Sequence, residues 1–273
     1  MKRDKYRKAW LRAHKSYERK AYSILRKYFR GEALKIPYSF LDKENYKQTI
    51  VNNVQIGSIY DAYFEIYRII GTVHGERIGK GINRDIKDFN PFTFQSAYQR
   101  SLFNWILENI GYRIVSVRKE FIKYIQSLVA EAFSDGLTQR QLAAQIHKLI
   151  NRRDFYRWEA LRIARTETGL AANRASVIAG ETSGIVLDKL WISIPDNRTR
   201  PAPGKTTEFN HRVMDGVKVP QDGFFDVQGE FLSYPSAATT KTGAKSSGAN
   251  VINCRCTAAL IPRRDANGRI MRT

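Results

Sequence analysis

The chain reads as an α+β protein, a helical N-terminal region followed by a small antiparallel β-rich C-terminal unit. Two observations predict this. Up to about residue 182 apolar side chains recur at three- and four-residue intervals, the period of a helix with one buried face. From Gly184 onward the pattern becomes short alternating runs cut by Pro, Gly, Asn and Asp, the grammar of strands and tight turns. The boundary falls at Thr182-Ser183-Gly184, giving a basic amphipathic helix (1–35), a helical domain (36–182), a β-rich unit (183–262) and a basic tail (263–273). With 273 residues, 42% of them hydrophobic, the chain is long enough to bury a core.

The first helix carries a concentrated charge. Residues 1–30 hold twelve Lys/Arg and two acids, half of the chain's formal excess of +20. At 100° per residue Trp10, Tyr17, Ala21, Ile24 and Tyr28 share one stripe, and Lys8, Arg12, Lys15, Arg19, Arg26 and Arg30 form a narrow stripe opposite. One face suits protein; the other is a single-signed ridge suited to a polyanion, and DNA is the partner expected there. Gly31 and Pro37 mark a connection, after which Tyr46 to about Ile82 reads as a long helix that Gly71, Gly75, Gly79 and Gly81 loosen at its end. These glycines make no phosphate loop, since neither a preceding strand nor a following helix start flanks them.

Helical periodicity resumes after Asn90-Pro91 through Phe103, Ile106 and Ile110, and again on the face Phe121, Ile125, Leu128, Val129, Ala132 and Phe133. Asp135-Gly136 stops that helix, and Thr138 with Gln141 forms a capping box for the next, whose apolar side is Leu142, Ile146, Leu149 and Ile150. A helix from about Asp154 to Gly180 follows, including Trp158, Leu161, Ala164, Thr168, Ala172 and Ala175, with small residues in its second half that let a neighbour approach. Strands are expected at 187–194, 217–219, 224–227, 230–233 and 251–261, with 236–250 as a surface loop that has almost nothing to bury.

Four short motifs fall in order: Arg165-Thr166-Glu167-Thr168 on a helix, Trp191 before Asp196-x-Arg198-Thr199-Arg200, His211 before Asp215-Gly216, and the closing Asn253-Cys254-Arg255-Cys256. With Phe225, Gly229-Glu230 and Tyr234-Pro235 between them, this series resembles the phage Mu F-like family of head morphogenesis (minor head) proteins. The resemblance extends over roughly residues 120–261. Two departures lie in loops: Pro201–Asn210 intervene before His211, and a Ser/Thr/Ala/Gly stretch follows Tyr-Pro where the family has a Gly-Asp-Pro-like turn. The resemblance implies a non-enzymatic virion component inside the capsid, made in the host cytoplasm, that binds the portal protein, with capsid or scaffold protein as further partners.

Read for their chemistry, the motif residues point to structure. Arg165, with five donors, suits a strut from the helix to carbonyls or charges of the β unit. Asp196 can accept from turn amides, while Arg198 and Arg200 project from a loop that Pro195 and Pro201 restrict. On a continuous last strand Cys254 and Cys256 share one face with Ala258 and Leu260, and read as small buried hydrophobes. A metal site would need both cysteines, His211 and a fourth ligand such as Asp196, and Cys-x-Cys is an uncommon zinc spacing; no metal or other cofactor is expected. His14, His74 and His147 have no partner at ligand spacing, and no nucleophile stands beside a base. The rival readings are a metal-dependent nucleic-acid-processing enzyme, with His211, Asp215 and Asp196 holding the metal, or a β unit that is a degenerate transferase-like domain, and a general basic nucleic-acid-binding protein. No 18-residue apolar window marks a membrane span.

Overall fold

A computed structural model describes residues 3–83, 90–201 and 209–273, with every side chain in them except that of Tyr112. The helices are α1 (Arg3–Leu34), α2 (Tyr46–Asn53), α3 (Ile56–Ile82), α4 (Pro91–Asn109), α5 (Gly111–Ser134), α6 (Gln139–Asn151) and α7 (Arg157–Glu181), with a 3-10 turn at Tyr38–Phe40. Then come strands β1 (Leu187–Ile192), β2 (Lys218–Pro220), β3 (Phe225–Val227) and β4 (Glu230–Leu232), the short helix α8 (Gly248–Val251) and strand β5 (Thr257–Pro262). The α+β class is as the sequence predicts. Packing groups the chain into two compact units: residues 22–65 with 106–161, and residues 1–21, 66–105 and 162–273.

The unit built on 22–65 and 106–161 is helical. Leu25, Phe29, Ile50, Val54, Phe121, Ile125, Val129, Leu142, Ile146 and Ile150 are buried in it, and the rings of Phe29, Phe121 and Tyr156 meet at 4.6–5.0 Å. The predicted Thr138/Gln141 capping box is present at the start of α6, and Gly136 takes the left-handed φ of 71° that ends the preceding segment. The long helix expected over 46–82 is two helices instead. Val54 turns extended between α2 and α3, and Arg118 donates to the carbonyls of Val51 and Val54 that the break frees, at 2.6 and 2.7 Å. Trp158, near the start of α7, is 72% exposed, and the Arg157 guanidinium lies 5.7 Å from its ring centre.

In the other unit, Gly71, Gly75 and Gly79 do not loosen α3; they bring α4 against it. A Cβ built on Gly75 would stand 1.9 Å from the Tyr98 hydroxyl, and one on Gly79 2.1 Å from the Phe94 ring. The missing side chains let Tyr98 reach the Gly71 carbonyl at 2.6 Å. The sheet has the order β2-β1-β5, antiparallel throughout, with Trp191 opposite Ala258 and Ile192 opposite Thr257. β3 and β4 form a separate hairpin through Gln228-Gly229, both at positive φ as a two-residue turn of this kind requires. A core of Trp191, Phe209, Met214, Phe225, Val227, Leu232, Tyr234 and Ala258 joins these strands, with Val177 of α7. Lys189, in the central strand, is buried, donates to the carbonyls of Gly223 and Ser233 at 2.7 Å each, and is pulled down to a pKa of about 8 by burial.

Two expectations for the C-terminal segment are corrected. The last strand covers only Thr257–Pro262, because Ser247 caps α8 and Asn253 adopts a left-handed φ of 57°, so Cys254 to Cys256 form a bend rather than a pleat. The stretch 236–250 is not bare of burial either. Ser236, Ala237, Ser246 and Asn250 are all buried, held by backbone bonds such as Thr240 N–H to the Ala244 carbonyl at 2.8 Å. Backbone hydrogen bonds do there what apolar mass does elsewhere, while the buried hydroxyls of Ser236 and Ser246 are left without partners.

Candidate functional site

The motif residues converge around α7, which serves as a spine for the strands. Thr168, Leu170, Ala171, Ala172 and Ala175 are buried, and at Gly169 a Cβ would come 2.9 Å from the Cys254 carbonyl, so the closing motif lies directly on the helix backbone. Thr166 Oγ1 accepts the Asn253 amide at 3.1 Å, and Glu167 accepts the Tyr67 hydroxyl at 2.5 Å. Arg165 is paired differently from the strut expected. Its Nε donates to Glu18 of α1 at 2.8 Å, not to a group of the β region. The strut is Asn173, four residues beyond Gly169: its Nδ2 donates to the Pro235 and Cys256 carbonyls at 2.9 and 3.1 Å, and its Oδ1 accepts the Ala258 amide at 3.2 Å.

Against this spine lies a closed polar nest. His211, Cys254 and Cys256 are all buried, and their ligand atoms lie within 4.8 Å of one another. Both cysteines are free thiols. Nδ1 of His211 is 3.5 Å from Cys254 Sγ and 3.6 Å from Cys256 Sγ, and Nε2 is 2.7 Å from Asn250 Oδ1. The Trp191 ring meets the imidazole edge-on at 5.4 Å, and Ser193 Oγ donates to the His211 carbonyl while accepting Trp191 Nε1–H at 3.1 Å. The two thiols are electrically unlike. A hydrogen bond from Cys256 lowers the Cys254 pKa, with His211 adding to the effect, whereas donating that bond and burial both raise Cys256.

The loop motifs brace this nest. Asp196 takes the Arg255 guanidinium at 2.6 Å and the Arg198 amide at 2.9 Å; burial alone would raise its carboxyl, but these partners hold it below its ordinary value. Being committed to Arg255, Asp196 is not the fourth ligand that the sequence suggests. Arg198 itself is exposed, Thr199 donates to the Ile194 carbonyl, and Arg200 donates to the Ile252 carbonyl. Of the insertion Pro201–Asn210, residues 202–208 lie outside the described residues. Its two ends meet, since the amides of His211 and Arg212 both donate to the Arg200 carbonyl, at 3.1 and 3.2 Å. Asp215 accepts the Ser193 amide at 2.9 Å and the Arg3 guanidinium at 3.1 Å, as well as Arg7. Gly216, at φ 88°, returns the chain to β1 by donating to the Trp191 carbonyl at 2.9 Å.

The first part of α1, as far as Ala21, is anchored in the same unit. Trp10 Nε1 donates to the Arg255 carbonyl at 2.7 Å, Arg7 Nε to the Ser193 carbonyl at 3.0 Å, and Tyr6 to the Ala258 carbonyl at 3.3 Å. Trp10, Tyr17, Ala21 and Tyr28 are buried as the stripe predicts; Ile24 is half-buried and Leu25 takes the deeper place. On the opposite side Lys8, Arg12, Lys15 and Arg19 are exposed, whereas Arg26 and Arg30 are half-buried and Arg30 donates to Asn151.

Asn173, Asn250 and Ser193 belong to the site without belonging to any sequence motif singled out, and Glu230, quoted there only within Gly229-Glu230, joins it through Asn250. Asn173 alone leaves a trace, an indifferent helix former inside a run of alanines. Comparison with known proteins gives one finding: a family model described as Phage Mu protein F like protein matches residues 123–259, half of the chain. No curated protein and no solved structure matches.

Proposed function

The chain belongs to the phage Mu protein F like family of head morphogenesis proteins, and we propose that within the forming head it binds the portal region and DNA as a minor structural component rather than an enzyme. The observation that carries the DNA half is the row Lys8, Arg12, Lys15 and Arg19, exposed on a helix whose other face is anchored by Trp10 and Tyr17. A rigid, single-signed row of side chains meets phosphates without reading bases, so binding is electrostatic and independent of sequence. The portal half, with capsid or scaffold protein as further partners, rests on family membership. Its place is the virion interior, after assembly in the host cytoplasm; none of the described helices is long and apolar enough to cross a membrane.

The ridge is tested by substitution, because deleting residues 1–30 would also remove Trp10 and Tyr17 from the core. Lys8→Glu, Arg12→Glu, Lys15→Glu and Arg19→Glu together should lower duplex affinity and reduce the slope of log K against log salt by roughly 3–4, about 0.9 for each phosphate that is no longer neutralised. Equal affinity of parent and variant at matched salt would place the DNA site elsewhere. For the portal, the purified chain should co-sediment with portal rings of the same phage; rings that pellet without it would refute that half and leave family membership untouched.

A further inference from the structure

We propose that His211, Cys254 and Cys256 hold one zinc ion, with an oxygen in the fourth position. The ligands of a tetrahedral zinc, with Zn–S about 2.3 Å and Zn–N about 2.0–2.1 Å, place nitrogen and sulfur about 3.6 Å apart. The distances from His211 Nδ1 to the two sulfurs are 3.5 and 3.6 Å. Both nitrogen–sulfur separations are thus those one shared cation would set, and all three ligand atoms lie within 4.8 Å of one another although they come from separate loops.

The imidazole is also held in the tautomer that ligation needs. Glu230 Oε2 accepts from Asn250 Nδ2 at 2.9 Å, which turns Asn250 Oδ1 toward His211 Nε2 at 2.7 Å. Nε2 therefore carries the proton, and the lone pair of Nδ1 points at the sulfurs. A carboxylate acting through a polar group on the far nitrogen of a histidine is the outer arrangement that orients metal-bound imidazoles. The second oxygen of Glu230 accepts the Ser247 amide at 2.9 Å, so the relay is itself fixed.

A fourth direction is open to oxygen. The Ser236 hydroxyl is buried beside Cys254 and has no hydrogen bond of good geometry, and Ser236 holds a left-handed φ of 69° that few non-glycine residues adopt. This hydroxyl, or a water it holds, completes the set. Two thiolates and an imidazole select zinc over the hard cations magnesium and calcium. Bound there, zinc would tie the His211 loop, the Ser236 turn and the closing Cys-x-Cys into one cross-link that forms only when the region folds.

The measurement is zinc per chain in the full-length, tag-free protein, purified without chelator from zinc-supplemented cells and dialysed against buffer. One equivalent is expected, and exchange into cobalt should give the thiolate charge-transfer and intense visible bands of tetrahedral coordination. Cys254→Ser and His211→Ala should each lose the metal. Asn250→Ala, which touches only the outer arrangement, should weaken zinc affinity by roughly 10–100-fold while keeping the ion at saturating zinc. The proposal is overturned if the folded parent chain carries only trace zinc after equilibration with the free ion, whether its cysteines then titrate as two free thiols or as a disulfide.

Discussion

At the scale of single residues, Asn173 and Arg165 show how motif membership and mechanical importance separate. Asn173 is fully buried and satisfies two carbonyls and one amide of the β region, whereas Arg165 is partly exposed and makes one ion pair with Glu18. Leaving buried polar groups unpaired costs about 1–3 kcal/mol each, so Asn173→Ala should destabilise the chain by roughly 3 kcal/mol or more. Losing a partly exposed ion pair costs about 1 kcal/mol or less, and Arg165→Ala should melt close to the parent. Thermal melts of the two variants side by side decide the order, and a lower melt for Arg165→Ala would return the strut to the arginine. The Arg-Thr-Glu run is conspicuous in the sequence because its residue types are unusual together. The asparagine carries more of the join because of where it points, which no spacing rule reveals.

At the scale of elements, glycines on two helices should respond in opposite ways to the same change. Gly75 faces the Tyr98 hydroxyl, so Gly75→Ala forces ring or helix to shift and should cost about 1–3 kcal/mol. Gly31, in α1, has nothing within 4 Å of its added Cβ, and Gly31→Ala should stabilise by about 0.5–1 kcal/mol through helix propensity alone. Urea midpoints of the two variants should therefore move in opposite directions; a shared direction would mean that α3 and α4 are not held through these glycines. Helices were legible wherever one apolar face repeats, as over α5 and α6, and so was the switch to strands after Gly184. What the period cannot show is the sense of a glycine, which loosens a helix in isolation and tightens a pair of helices when a partner supplies the aromatic. The closing segment misled for a related reason. Alternation from Val251 to Ile261 looks like one strand, but capping by Ser247 and the left-handed Asn253 break it where side-chain pattern is silent. Hence the three potential ligands could be named from sequence, while their convergence could not.

At the scale of the whole molecule, acid stability should be governed first by two histidines. His14 and His74 are buried, and burial lowers their pKa values from 6.5 to about 4 and about 3, with Arg255, Arg165 and Arg198 acting on His14 and Arg77 on His74 in the same direction, and only Cys254 opposing at His14. Above pH 6.5 both are neutral whether folded or unfolded and set no slope. As pH falls below 6.5 the unfolded chain takes up protons that the folded one refuses, so stability declines through about pH 4, by up to roughly 2.7 kcal/mol per pH unit for two protons. His74→Gln should remove about half of that slope between pH 6 and 4 in denaturant titrations, and an unchanged slope would show that the buried imidazoles do not set it. The insertion after Arg200 raises a separate consequence. Its ends are clamped on one carbonyl, and Phe209 on its far side belongs to the core. Lengthening a closed flexible loop costs only about 0.6 kcal/mol per doubling, so a fluorophore-binding peptide spliced between Pro201 and Phe209 should leave the clamp and the core in place and let copies of the chain be counted particle by particle.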